Sequence, residues 1–143
     1  MKPRLYILAL LAAVLTLTGC DKKDCNGDLD GMWQLTEWRD ASDAVKATTQ
    51  DMIFYSFQLQ MASFLKNNVD YFYIRALLKV SPDQIIIYNP FEYVGDKHDE
   101  TRPMSVLSGV GVPEDGVFQI VTLTGSSMLL ETSSGDRLSF RKY

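Results

Sequence analysis

The sequence predicts an all-β domain: a small antiparallel up-and-down β-barrel of seven or eight strands, preceded by an N-terminal signal helix. Three observations carry that expectation. Apolar and polar residues alternate with period 2 over several separate runs, the mark of strands with one buried face. Turn-forming residues separate those runs at short intervals. No stretch after residue 20 carries a strong helical pattern. Strands in this arrangement make an antiparallel sandwich or a barrel. A barrel removes the exposed edges that a flat sheet leaves open.

The first strand opens at Asp28-Leu29-Asp30-Gly31, where Asp and Gly turn the chain, and runs on through Met32-Trp33-Gln34-Leu35-Thr36-Glu37-Trp38. Residues 39–51 are polar and Ala/Thr-rich, which reads as a loop or one short helix. Residues 52–61 alternate, with Ile53, Tyr55, Phe57, Leu59 and Met61 on one face and Ser56, Gln58 and Gln60 on the other, as in one half-buried strand. Lys66-Asn67-Asn68 is a turn. A second strand covers 71–80, with Phe72, Ile74, Ala76, Leu78 and Val80 opposed to Tyr71, Tyr73, Arg75 and Lys79. Ser81-Pro82-Asp83 turns the chain into a third at 84–88. Residues 89–116 hold three prolines and four glycines and cannot be one regular element; Met104-Ser105-Val106-Leu107 is a short strand candidate within them. Strands follow at 117–123, 127–132 and 138–142, with a hairpin loop at Ser133-Ser134-Gly135-Asp136.

Lys2 and Arg4 precede an unbroken apolar run from Leu5 to Val14-Leu15, the layout of a secretory signal. The run leads into Leu17-Thr18-Gly19-Cys20, which resembles a bacterial lipobox. The resemblance implies cleavage before Cys20, diacylglycerol on its thiol and an acyl chain such as palmitate on its new amine. Two or more chains are what stable anchoring requires, since each buried CH₂ contributes only about 0.8 kcal/mol. The expected domains are therefore 1–19 as signal peptide, 20–28 as lipidated flexible tether and 29–143 as barrel. The implied location is the envelope of a Gram-negative bacterium, the outer membrane being favoured and the periplasmic or surface face left open. Cys25 sits on the polar tether, either as an idle thiol or as an interchain partner.

Removing the leader leaves 124 of the 143 residues, one domain's worth. It also reduces the 14 basic residues to 12 against 18 acidic ones, a net charge of −6. Nucleic acid is a poor partner for that balance, because phosphate contacts need clustered Lys and Arg. No run after residue 20 reaches the roughly 20 apolar residues of a membrane-spanning helix.

Gly31-Met32-Trp33 is similar to the Gly-x-Trp signature of lipocalins. The wider line Leu29-x-Gly31-x-Trp33-x-Leu35, the run from Phe118 to Leu130, and Gly135-x-x-Leu138-x-Phe140-Arg141 resemble bacterial lipocalin-like lipoproteins, many of them domains of unknown function. The resemblance implies a lipocalin-like barrel in which Gly31 and Trp33 form a plug at the closed end. Arg141, or failing it Arg137, would be the cation lying over Trp33, a contact of about 0.5–2 kcal/mol.

Chemistry has few candidates. Asp96-Lys97-His98-Asp99-Glu100 is the one place where His meets acids, and it reads as a solvated loop, since a zinc site wants three or four spaced ligands. There is no nucleophile elbow and no phosphate loop. The expectation is no enzyme, no catalytic residue, no metal and no cofactor. The candidate ligand pocket is Tyr55, Phe57, Phe72 and Ile74, a face that either fills the barrel or lines a cavity, since eight strands leave room for side chains or one small ligand. Arg75, on the same face as Tyr71 and Tyr73, would meet an anionic ligand only if that face were the lumen. Asn89-Pro90-Phe91-Glu92-Tyr93 is a candidate lid or partner contact. The leading expectation is an anchored protein binding a small apolar ligand, and the alternative is an interaction subunit of an envelope complex with a filled barrel. A binder needs a cavity of at least about 300 Å³; an interaction subunit shows an exposed apolar patch.

Overall fold

The computed structural model describes residues 26–68, 72–94 and 98–143, with Val94 and His98 described in backbone only. The signal segment 1–19, Cys20 and Cys25 lie outside the described residues, as does Tyr71. Ten strands lie among the described residues: β1 (Gly31–Arg39), β2 (Val45–Thr48), β3 (Ile53–Gln58), β4 (Met61–Lys66), β5 (Phe72–Val80), β6 (Gln84–Val94), β7 (His98–Thr101), β8 (Val117–Leu123), β9 (Ser127–Thr132) and β10 (Arg137–Lys142). Eight of them close into an antiparallel barrel, in the order β1-β3-β4-β5-β6-β8-β9-β10 and back to β1. The two others are side branches, β2 on β1 and β7 on β6. Neighbours in the ring are neighbours in the chain, so the topology is up-and-down, as the sequence predicts.

The period-2 pattern does the folding work. Leu35, Tyr55, Phe64, Ala76, Ile87, Phe118, Leu130 and Phe140 all point inward and are buried. Cross-strand neighbours then stack in layers: Trp33 stands opposite Tyr55, and Tyr55 opposite Phe64. At about 1.5–3 kcal/mol for each large apolar side chain removed from water, this interior is the main stabilising term.

Four sequence expectations need correction. Residues 52–61 are not one strand, because the chain turns back at Leu59-Gln60 and Gln58 pairs with Met61. Leu59 and Met61 therefore leave the inward face and are exposed, while Ala62 and Phe64 take it over. Residues 39–51 hold a strand, β2, rather than only a loop or a helix. Asn89-Pro90-Phe91-Glu92-Tyr93 is not a loop but the second half of β6. Asn89 (φ 48°) and Pro90 together oppose the single residue Ala76, so the ladder bulges and bends there instead of stopping. Finally, Met104–Val110 is a 3₁₀ turn, not a strand.

Two ends can now be told apart. At one, the 3₁₀ turn Gly27–Leu29 closes the barrel beside the β3–β4, β5–β6 and β8–β9 turns. At the other, the long β6–β8 connection crosses the mouth. That connection returns to the wall at Gly116 (φ 69°), where a Cβ would lie 1.9 Å from the Ile87 carbonyl oxygen. Only glycine fits so close to a neighbouring backbone.

Asp40 organises the turn into β2. Its Oδ1 accepts from the Ser42 hydroxyl (2.6 Å), the Ser42 amide (2.9 Å) and the Ala44 amide (3.1 Å), and Lys46 lies 3.4 Å from Oδ2. These donors, the Ser42 hydroxyl first and the Ala44 amide next, hold the carboxyl at about 2, below its ordinary 3.8. A depressed carboxylate supports the folded turn above pH 3.8 and loses that support as the pH falls through about 2. NMR titration of the Ser42 and Ala44 amides should therefore give a midpoint near 2; a midpoint near 3.8 would mean the turn does not favour the ionised form.

Candidate functional site

The closed end is built around Trp33. Its ring is buried, and its Nε1 donates to the Leu29 carbonyl at 2.8 Å. The cation over the ring is Lys142, with Nζ 4.3 Å from the centroid. This corrects the assignment of Arg141. Cross-strand register explains it: Trp33 pairs with Lys142, so the two share a face, whereas Arg141 pairs with Gln34 on the other. Arg141 accordingly donates twice to Gln34 Oε1, at 2.6 and 3.0 Å. Arg137, the second choice, is at the far end of β10 beside Glu131 (3.9 Å). The Lys142 ammonium donates to the carbonyls of Asp28 and Asp30. Gly31 makes the seat possible, since a Cβ there would sit 2.9 Å from the lysine Cε.

The mouth is stoppered by the chain itself. Leu107, Val110 and Val112 of the β6–β8 connection are buried in the same cluster as the barrel aromatics. The connection reaches from Lys66 and Phe72 on one wall, which share a crevice with Val106, Gly109 and Val110, to Trp38 and Leu138 on the other, against which Gly111 lies. Beneath it stands Tyr55. Its ring makes edge or tilted contacts with Phe57, Phe64, Phe118 and Phe140, at centroid distances of 4.7–6.4 Å. Its hydroxyl donates to the Val110 carbonyl at 2.6 Å. Burial pushes the phenol well above its ordinary pKa, so it remains a neutral donor.

The candidate pocket residues are thus placed as follows. Tyr55, Phe57 and Ile74 lie inside the barrel wall, packed against other side chains. Phe72 is half-buried at the rim and lines the mouth crevice, a cavity of about 190 Å³ with Lys66, Val106, Gly109 and Val110. The sequence reading missed Val106, Gly109 and Val110, because nothing in a Gly/Pro-broken stretch shows that it folds back over the barrel. Arg75 faces outward, 5.5 Å above the Phe91 ring and 4.0 Å from Asp99. Of the charged loop, Asp96, Lys97 and the His98 side chain lie outside the described residues. Glu100 is in β7, 3.6 Å from Arg102. Among the described residues, no three His, Cys, Asp or Glu side chains gather as metal ligands.

Larger hollows lie outside the barrel, at the closed end. One of about 550 Å³ is lined by Ser56, Gln58, Leu59, Gln60, Met61, Ser63 and Leu77. Another of about 460 Å³ shares Leu59 and Gln60 and adds Asn26, Leu78, Lys79, Val80 and Tyr88.

A closed eight-stranded up-and-down barrel with a Gly-x-Trp plug at one end and a chain segment across the mouth at the other defines the lipocalin-like class. The chain belongs to the lipocalin-like domain family, whose model matches residues 15–143. It is similar to a lipocalin-like protein from Bacteroides uniformis (25% identity, TM-score 0.62, 82% of this chain and 100% of that one). An uncharacterized protein from Bacteroides eggerthii shares the fold (24% identity, TM-score 0.58, 80% and 99% covered). So does a protein from Burkholderia xenovorans (15% identity, TM-score 0.51, 80% and 83% covered). No curated protein sequence matches the chain.

Tyr55→Phe removes one oxygen and leaves the buried Val110 carbonyl without its donor, at a cost of about 1–3 kcal/mol. If the bond holds the stopper, the Gly111 and Val112 amides should lose about 10–100-fold protection in hydrogen exchange while the β9–β10 amides keep theirs. Uniform loss across the barrel would instead assign Tyr55 to global stability alone.

Proposed function

We propose that this is a non-catalytic protein of the bacterial cell envelope, lipid-anchored through Cys20, that binds a small apolar ligand at the barrel mouth. The outer membrane is the favoured site of the anchor. The observation that carries the ligand is the mouth crevice: Phe72, Val106 and Val110 give it apolar walls, and Lys66 sets a cation beside them. Such a site suits the apolar end of a small molecule, with an acidic group turned to the lysine.

Magnitudes confine the ligand to that crevice. Lifting Leu107, Val110 and Val112 out of the interior would cost roughly 5–9 kcal/mol, at about 1.5–3 kcal/mol each. That equals the whole binding free energy of a micromolar ligand, about 8 kcal/mol. A cavity of about 190 Å³ is also smaller than the roughly 300 Å³ of ordinary ligand pockets. The occupant is therefore small, or inserts only its end.

The packed aromatics around Tyr55 favour a second reading, a filled barrel that works through its outer surface as a subunit of an envelope complex. Native mass spectrometry of the protein purified from membranes separates the two. A small adduct that leaves on denaturation, and that is absent from Phe72→Ala and Val106→Asp, is the expected result. A clean apo mass in all three proteins would leave the filled barrel.

The anchor has its own test. Cys20→Ala should lose the acyl mass and move from the membrane to the soluble fraction. If Cys20→Ala stays membrane-bound at unchanged mass, Cys20 is not the anchor.

A further inference from the structure

We infer that the closed end of the barrel rests on the lipid bilayer, with Leu59 at its tip inserted into the boundary between headgroups and acyl chains. The inference rests on the lipid anchor at Cys20 proposed above.

Leu59 is the first residue of the two-residue turn between β3 and β4. Its φ of 56° is a left-handed conformation that Gly, Asn or Asp adopts at lower cost. It is also 59% exposed. A leucine there strains the backbone and shows water a large apolar side chain, and nothing in the folded chain is gained in return. Met61 and Val80, 38% and 36% exposed, widen the patch. The two outer hollows meet at Leu59 and Gln60, so the apolar surface is continuous around the turn. Lys79 and Tyr88 border it, with the ammonium 5.0 Å from the ring centroid. Long cations and tyrosines of this kind keep an apolar body in lipid and a polar tip in the headgroups.

Chain length says what covers the patch. The Asn26 side-chain amide donates to the Leu59 carbonyl at 2.8 Å and to Asp30 at 2.6 Å. The first described residue therefore lies against Leu59 itself. Cys20 is six residues upstream, and six residues at no more than about 3.6 Å each reach at most about 22 Å. An acylated Cys20 thus holds the closed end of the barrel, with this patch beside the point of attachment, next to the membrane. At the same end Asp28, Asp30 and Asp83 stand against Lys79 and Lys142, a near balance that suits a mainly zwitterionic bilayer better than a strongly anionic one.

The test uses the full mature lipoprotein in phosphatidylethanolamine-rich vesicles. Leu59→Cys and, at the opposite end, Tyr93→Cys are each labelled with an environment-sensitive fluorophore in a Cys25→Ser background. Both positions are exposed, so the fold should survive, which circular dichroism checks. The expected result is a blue shift at position 59 and several-fold stronger quenching there by spin-labelled lipids than at 93. Water-like emission at both sites, in protein that carries its acyl mass and floats with the vesicles, would overturn the inference and leave the anchor standing. Protein that carries no acyl mass would overturn the anchor and the inference with it. Shielding of position 59 in native envelope fragments but not in protein-free vesicles would assign the patch to a protein partner and overturn the bilayer.

Discussion

A phenol in the middle of a hydrophobic barrel must find a partner for its hydroxyl, and much of this structure follows from where Tyr55 finds it. The hydroxyl points up the barrel to the Val110 carbonyl. A carbonyl can stand there only if the β6–β8 connection dips into the mouth, and the dip carries Leu107, Val110 and Val112 into the interior. One hydrogen bond therefore couples the aromatic packing of the barrel to the closure of its mouth. It also sets the scale of any ligand, because the volume a large one would occupy is filled by the protein's own side chains. An unsatisfied phenol at this depth would be more costly than the bond is favourable, which makes the arrangement directional.

The two ends are closed by different physics. At the mouth the closure is apolar, made by a segment attached through loops at both of its ends. At the base it is polar and covalently continuous with the barrel: Lys142 lies over Trp33 and against Gly31, and ties β10 to the carbonyls of Asp28 and Asp30. A ring contact together with charge-assisted bonds to fixed carbonyls gives a rigid base. The apolar closure stands at the mouth, where the proposed binding crevice lies.

Alternation made β5 legible in the sequence with its two faces, and placed β8, β9 and β10 as strands between clear turns. The β3–β4 hairpin was hidden because Leu59-Gln60 contains no Gly or Asn and the apolar alternation runs on to Met61. Its one signal is a change of parity, from Phe57 inward to Ala62 and Phe64 inward. Asn89-Pro90 read as a chain break because proline lacks a ladder donor; a bulge absorbs it within β6. The plug residues Gly31 and Trp33 could be read from their motif, but not the cation above them. That depends on which residue of β10 stands opposite Trp33, a register over a hundred residues apart that no local pattern encodes. The mouth crevice was legible only in Phe72, for its other walls come from a segment with no periodicity at all.

The seam between β1 and β10 joins the first strand of the barrel to the last, as in the Gln34–Arg141 bond that spans 107 residues. Every other ladder of the ring can zip up as its strands emerge in turn. This one cannot start until the six residues of β10, Arg137–Lys142, are present. A chain in which β10 has not yet paired would hold two open sheet edges, on β1 and β9, which are the surfaces that recruit other unfolded chains. Closure of the barrel thus depends on β10, and the edges of β1 and β9 are hidden only once it has paired with both.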